Sequence, residues 1–303
     1  MSTLNLVPAL DRYIRAHRPE QLVVPPLIVL AIALVVLGGM FVSTGSPVRL
    51  GFEFEGGTMI TLATDDSYEV LAAAFSEYPV IDLLDSGNRR MIKFGPMSED
   101  EKRALVTEVN SDYGYATPEI KQMGAVYGAS LQKQAVKAIL ISFVLMAAII
   151  FLIFRTFVPS VAVVLSAFSD IVIAAAFIAI TGIELSLGTV AALLMLIGYS
   201  VDSDILLTTR LLKRRGNLDD KIRGAMTTGM TMTSTTLAAI TVMYLVATYS
   251  YLIVPTFPQI SIISDIAIVL IFGLVADLMN TWMLNTGILK WYLQKPKTRR
   301  NKR

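Results

Sequence analysis

Six apolar stretches, each long enough to cross a bilayer, leave this chain few folds to choose from. A hydrocarbon core about 30 Å thick needs roughly 20 apolar residues of helix, and unpaired backbone polar groups are too costly there for any open structure. The stretches run over 23–42, 135–154, 158–181, 185–207, 227–250 and 259–289. The last exceeds one span and is expected to tilt or to extend past the membrane. Arg12, Arg15 and Arg18 precede the first as in a signal peptide, but no small-residue cleavage pattern follows. It reads as an uncleaved anchor. The expected class is a polytopic α-helical membrane protein with 1+5 helices around one polar insertion.

Basic residues set the orientation. With segment 1–22 cytoplasmic, the same side receives Arg155, the group Arg210, Lys213, Arg214, Arg215, Lys221 and Arg223, and the basic tail 290–303. The short outer loops near 182–184 and 251–258 carry no Lys or Arg. The insertion 47–127 is then external; long translocated domains do not obey the charge rule. Multi-pass insertion in the cell membrane, with both termini cytoplasmic, is the expectation.

The insertion reads as an α/β domain of ferredoxin-like order, βαββαβ. Phe52 to Ala63 alternates and is rich in aromatics and Thr, which predicts a strand. Gly56-Gly57 inside it marks a bulge or a close backbone approach. Asp65-Asp66-Ser67 caps a helix over 68–78. Strands follow at 79–84 and 89–94, joined by Ser86-Gly87-Asn88. Ser98 and Glu101 have capping-box spacing before a helix over 99–112, and 118–126 is a last strand. Glu53 and Glu55 alternate with Phe52 and Phe54, as on a solvated strand face; a catalytic carboxylate pair is the minor alternative. So small a domain buries a modest core, so docking on the membrane part or on a partner is expected.

Acids at bilayer depth demand an explanation, because an ionised side chain costs several kcal/mol there. Asp170 lies near the middle of the third helix, Asp202 and Asp204 in the inner half of the fourth, and Asp277 in the inner half of the sixth. No Lys or Arg lies deep in any of the six helices. Protons, water or a partner must therefore neutralise these acids. Asp202 and Asp204 point roughly 200° apart on a helix and cannot face one neighbour. Asp170, Asp202, Asp204 and Asp277 are candidates for proton handling or a conformational hinge, with structural interhelical hydrogen bonding as the alternative. Asp265 is close enough to the outer surface to be solvated. The fifth helix opens with Thr227 and Thr228, then Thr231, Thr233, Ser234, Thr235 and Thr236. That stretch is a candidate polar helix interface or transport path, although small hydroxylated residues also simply permit close packing. Packing or bending equally accounts for Gly182, Gly188, Gly198, Gly224, Gly229 and Gly273.

Composition narrows the chemistry. Charged residues make up 17% of the 303, against about 25% in soluble domains. There is no Cys and one His, His17. A thiolate metal site, a Cys nucleophile and a multi-His metal site are excluded, and a Ser-His-Asp triad is disfavoured. A net charge of +2 gives no reason to expect a nucleic-acid partner. The Y-D and G-x-G-D pairing of intramembrane aspartyl proteases and the G-x-x-x-x-G-K-[ST] loop of ATP motors are both missing. The expectation is a protein that is not an enzyme and has no cofactor or metal, with protons as the candidate coupling ion.

Four segments, in order, resemble the SecF family. Gly51-Phe52-Glu53-Phe54-Glu55-Gly56-Gly57 looks like the G-x-D-F-x-G-G signature that opens the external domain. Phe168-Ser169-Asp170-Ile171-Val172-Ile173 is similar to the third-helix H-D-x-x-I segment, with Ser169 in place of His. Gly198-Tyr199-Ser200-Val201-Asp202-Ser203-Asp204 resembles the fourth-helix G-Y-S-I-N-D-T, and Thr233-Ser234-Thr235-Thr236 the fifth-helix T-S-x-T-T. The pattern is similar to the archaeal branch of the SecDF proteins within the RND superfamily. The resemblance implies an auxiliary subunit of protein translocation, partnered by a SecD homologue, the Sec channel, translocating polypeptides and membrane lipids, and working through a conformational cycle linked to protons. Two departures bear on that cycle. Ser203 stands where bacterial forms carry a coupling Asp, and Gly229 where they carry an Arg. Proton coupling then uses Asp170, Asp202 and Asp204 in another geometry, or is supplied by SecD, or is absent from this subunit. The alternative function is a half-size RND-type transporter of a lipid or small molecule.

Overall fold

In the computed structural model, which describes residues 3–86, 89–253 and 260–294, a small sheet domain interrupts a series of long apolar helices. The chain enters through α1 (Thr3–Ala16), an amphipathic helix whose Val7, Leu10 and Ile14 recur at helical spacing and pack on the bundle. Pro19 opens α2 (Pro19–Thr44), at the position where its missing N–H is no loss.

The sheet domain comprises α3 (Phe52–Glu55), β1 (Gly57–Leu62), α4 (Tyr68–Ala74), β2 (Val80–Ser86), β3 (Arg89–Phe94), α5 (Glu99–Asp112) and β4 (Glu119–Met123). Its four strands run β2-β3-β1-β4, all neighbours antiparallel, which is the ferredoxin-like order. Ile60, Leu62, Ile92 and Phe94 of the sheet meet Leu71 and Phe75 beneath α4 and Leu105 and Val109 of α5 in one buried core. Capping fixes the helix starts. Ser67 Oγ accepts from the Val70 N–H, and Ser98 and Glu101 close a reciprocal box, with Glu101 Oε2 accepting from the Ser98 N–H at 2.7 Å.

The expected strand over 52–63 is shorter than its alternation suggests. Phe52–Glu55 coil into a helical turn, and the ladder begins only at Gly57. Gly57 takes φ 120°, and a Cβ there would lie 2.3 Å from the Phe94 carbonyl oxygen, so only glycine can bring β1 against β3 at this point. Glu53 and Glu55 therefore do not form a strand face. The helix expected over 68–78 ends at Ala74, and Pro79 further keeps Tyr78 out of helical backbone. Gly87 and Asn88 of the expected turn lie outside the described residues.

The bundle continues with α6 (Ala125–Phe154), α7 (Phe157–Thr181), α8 (Leu187–Lys213), α9 (Leu218–Ile253) and α10 (Ser261–Met279), then a π-helical turn (Asn280–Asn285) and α11 (Thr286–Gln294). Among the described residues six helices are long and apolar enough to cross a membrane: α2, α6, α7, α8, α9 and the continuous α10–α11. Several begin or end beyond the apolar stretches, because helix propensity and packing do not stop where hydropathy does. The sixth reaches Gln294, so Lys290 is part of a helix and not of a tail; residues 295–303 lie outside the described residues, as do 254–259 of the expected outer loop. Lys290 is buried, and its ammonium donates to the carbonyl oxygens of Ile14 at 2.9 Å and His17 at 3.5 Å, capping the last turn of α1.

The two largest apolar clusters of the bundle lie toward its opposite ends. Ile178, Leu193, Leu196, Leu270 and Leu274 pack near the sheet domain. Leu22, Leu207, Met226, Trp282 and Leu289 pack at the opposite end beside Ile14 of α1. Helices α7, α8 and α10 are central, whereas α6 leaves Leu140, Ile141, Val144, Leu145, Ile149 and Leu152 exposed for lipid or a partner. The loop between α7 and α8 is fastened to the sheet domain. The Leu185 N–H donates to Arg49 O at 2.8 Å, the Gly51 N–H donates to Leu185 O at 2.7 Å, and Lys93 of β3 pairs with Glu184.

Candidate functional site: a buried carboxylate cluster

Three central helices each bring one acid to the same place inside the bundle. Helical spacing puts Ser166 and Asp170 on one face of α7, Ser200, Ser203 and Asp204 on one face of α8, and Asp277 and Thr281 on one face of the sixth helix. Asp170, Asp204 and Asp277 are fully buried and close enough to interact electrostatically. Their partners are neutral donors. Ser200 Oγ donates to Asp170 Oδ2 at 2.5 Å and Asn280 Nδ2 to Asp170 Oδ1 at 2.6 Å. Asn285 Nδ2 donates to Asp204 Oδ1 at 2.7 Å, and Thr281 Oγ1 to Asp277 Oδ1 at 3.0 Å.

The π-helical turn makes this arrangement possible. Residues five apart on an α-helix diverge by about 140°, which would point Asn280 and Asn285 to different neighbours. The wider i→i+5 turn draws them toward one face. Asn280 then reaches α7 while Asn285 reaches α8.

The cluster is not fully paired. The Ser166 hydroxyl approaches Asp204 without closing a hydrogen bond of good geometry. Ser166 Oγ, Ser169 Oγ, Asp204 Oδ2, Asn280 Oδ1 and Asn285 Oδ1 are all buried without a hydrogen-bond partner among the described residues. Native cores hold few such atoms, and where they gather they mark strain, proton exchange or ordered water. No Lys or Arg pairs with any of the three carboxylates among the described residues. In that set, too, no group of three His or acidic side chains is placed to hold a metal ion.

The structure sorts the residues singled out in the sequence. Asp170, Asp204, Asp277 and Ser200 converge. Asp202 does not: it is exposed on the outer face of α8 together with Gly198 and Tyr199. Thr231 and Thr235 are also exposed, and their hydroxyls donate to backbone carbonyls one turn back, Thr227 O at 2.8 Å and Thr231 O at 3.0 Å. Thr233 is buried, and Ser234 and Thr236 are half-buried, but among the described residues none of the five hydrogen-bonds to a carboxylate. The hydroxyl stretch is therefore a helix face, not an extension of the cluster.

The opening glycine motif serves the junction with the sheet domain. Gly51 bonds to Leu185, Phe54 packs with Ala135 and Val190, and Gly56 with Gly57 turns the chain into β1. Asp265 is half-buried near Glu184, Lys93 and Glu53 at this junction, not in open solvent. Partial burial and the nearby Glu184 push the Glu55 carboxyl above the usual range, with Lys93 opposing.

Asn280, Thr281 and Asn285 escaped the sequence reading. Their signal is present: uncharged polar residues spaced after Asp277 inside an apolar stretch. It is weak, because uncharged amides and hydroxyls cost far less at bilayer depth than the carboxylates beside them.

Comparison with known proteins places these features in a family. Residues 102–295 match the family described as protein export membrane protein SecD/SecF, C-terminal. The SecF protein of Methanolacinia petrolearia is 50% identical over 282 residues, covering 93% of this chain and 96% of the relative. That of Haloferax volcanii is 46% identical over 290 residues, covering 94% and 96%. The crystal structure of SecDF from Thermus thermophilus shares the fold, with a TM-score of 0.71 and 21% identity over 91% of this chain. The chain spans 38% of the length of that SecDF chain. The chain belongs to the SecF family of protein-export membrane proteins.

Proposed function

We propose that this chain is an auxiliary subunit of the Sec protein-translocation machinery, acting with a SecD homologue through a conformational cycle linked to proton movement. It takes no cofactor and performs no enzymatic step. Both termini face the cytoplasm, and the sheet domain stands outside, where emerging polypeptides pass. The assembly works beside the Sec channel within the lipid bilayer.

The observation that carries this reading is the cluster of Asp170, Asp204 and Asp277, three buried acids held by neutral donors. Without a cation, negative charge on one opposes charge on the next, so proton occupancy and helix arrangement depend on each other. A conformational change follows only if protonation free energy differs between the two states. One pKa unit of difference supplies about 1.4 kcal/mol, so a site of three interacting acids suits the task better than a single one. Movement of α7 and α8 reaches the sheet domain through the fastened loop between them.

The test replaces Asp170, Asp204 and Asp277 singly by Asn in cells that carry the SecD homologue, with Asp265→Asn as the comparison. Secretion is expected to fall at the three clustered sites and to persist at Asp265, while SecD still co-purifies. Equal tolerance at all four sites removes the proton argument. Failure to co-purify SecD, with secretion unaffected by deletion of the chain, removes the translocation role.

A further inference from the structure

At the end of the bundle remote from the sheet domain, α1 and the start of α9 border a shallow, solvent-open cavity of about 590 Å³, lined by Pro8, Asp11, Arg12, Arg15, Ala16 and Arg223. Helical spacing explains the wall: Pro8, Asp11, Arg12 and Arg15 form one stripe of α1, beside the stripe of Val7, Leu10 and Ile14 that packs on the bundle. The wall is held firmly. Lys290 caps the end of α1, and Arg15 bonds Asp11 at 3.0 Å and lies 3.9 Å from Asp220 at the start of α9.

Four basic residues at this end are committed to acceptors in the protein, while Lys213, Arg214 and Arg215 stand outside the cavity lining. Arg15 holds Asp11, Arg210 holds Gly224 O and Thr228, Lys221 holds Leu211 O, and Lys290 holds Ile14 O. Arg12 and Arg223 line the cavity from its two sides and make no ion pair among the described residues. Asp11 is the single acid of the lining, and Arg15 neutralises it. The cavity therefore presents two exposed guanidinium groups without an ion-pair partner among the described residues. Guanidinium forks take phosphate oxygens in pairs.

The cavity also lies at the right depth. Pro19 opens the first span a few residues after the α1 wall, and Arg223 stands one turn before the apolar stretch of α9. That is the level of lipid headgroups, where amphipathic helices and basic pockets gather. Residues 295–303 carry Lys295, Lys297, Arg299, Arg300, Lys302 and Arg303 and no acid, so this segment is of the wrong sign as a ligand for the two guanidinium groups.

We propose that this cavity binds the phosphate headgroup of an anionic membrane lipid, with Arg12 and Arg223 as its ligands. The lipid would tie α1 to α9 at the membrane surface, next to the cluster of Leu207, Met226 and Trp282 that adjoins the π-helical turn.

The test uses the full chain purified in neutral detergent. Retention of dioctanoyl phosphatidylglycerol is measured by native mass spectrometry, against dioctanoyl phosphatidylcholine and against inorganic phosphate. The wild type is expected to retain phosphatidylglycerol at least tenfold better than phosphatidylcholine. Arg12→Gln with Arg223→Gln should erase that preference, while Arg215→Gln, away from the cavity, should keep it, and the helix content of all variants should match. Arg12→Lys with Arg223→Lys should retain part of it. An unchanged preference in the Gln double variant overturns the site. Full competition by millimolar inorganic phosphate overturns the lipid as its ligand in favour of a free oxyanion. Loss of SecD co-purification in the Gln double variant, with lipid retention intact, overturns it in favour of an acidic protein segment.

Discussion

Gly229 faces the ring of Trp282, and that contact makes a sharp test of how the carboxylate cluster is held. A Cβ at Gly229 would lie 2.6 Å from Cζ2 and 3.1 Å from Cη2 of Trp282, against an optimal carbon–carbon separation of about 3.5–4.0 Å. The indole would have to retreat by roughly 1 Å. It has little room, being fully buried among Ile14, Leu22, Leu207, Met226 and Leu289. Overpacking of this kind costs about 1–3 kcal/mol, while Ala in place of Gly inside a helix returns up to about 1 kcal/mol. Gly229→Ala should therefore destabilise the chain by up to about 2 kcal/mol. With Trp282→Leu already in place, the same substitution should be neutral or stabilising. The assay is SDS-induced unfolding of the detergent-solubilised chain, followed by helix content, for both single variants and the double variant. An equal effect of Gly229→Ala in the two backgrounds would refute the contact. Because Trp282 belongs to the π-helical turn, its displacement should also move Asn280 and Asn285 off their carboxylates. Trp282 also occupies the space that any longer side chain at position 229 would need.

Asn285→Leu should leave Asp204 without its interhelical donor and cost about 0.6–1.7 kcal/mol, the range for such bonds in membrane bundles, measured by the same unfolding assay; Thr235→Ala, on the exposed face, should cost less. Glu55→Gln should alter the pH response of the junction. The folded-state pKa of Glu55 is raised, so its contribution to stability is complete below the usual carboxylate range and is lost as pH rises through the raised value. Hydrogen-exchange protection of the Gly51 and Leu185 amides, corrected for intrinsic rates, should therefore gain on acidification a component that Glu55→Gln lacks; identical pH profiles would count against it.

The gross architecture was legible because its signals are long and repeated. Apolar runs of twenty residues, a capping box at Ser98 and alternating strands each report local physics that tertiary packing reinforces. What escaped was short-range geometry set by distant contacts. Phe52–Glu55 alternates like a strand but coils, because the pairing partner of β1 admits the chain only from Gly57. The divergence of Asp202 from Asp204 follows from helical phase, yet which one faces inward depends on how α8 is rotated, and α7 and α10 decide that. The π-helical turn cannot be read from periodicity at all, since a single widened turn leaves hydropathy unchanged. Lys290 looked like part of a solvated tail because sequence gives no sign that α1 returns to cover it.

The fastened loop between α7 and α8 determines how a proton event could reach the outside. Asp170 stands on the helix before this loop and Ser200 and Asp204 on the helix after it, so a shift of either helix along its axis moves the loop. The two backbone bonds between Leu185 and the chain at Arg49 and Gly51 are short and partly shielded, and Lys93 with Glu184 adds a third point of attachment. The Lys93–Glu184 pair is partly buried, so it reinforces the backbone bridge. If loop and sheet domain travel as one body, joining them covalently should leave translocation intact. The native chain has no Cys, which makes an introduced pair unique. Leu50 and Leu185 are bridge partners on neighbouring backbones, within the reach that a disulfide requires. Leu50→Cys with Leu185→Cys, oxidised in membranes with the SecD homologue, should support secretion as well as the reduced form. Activity lost on oxidation and regained with reductant would mean that the junction must open in the cycle, and that the domain is driven from elsewhere.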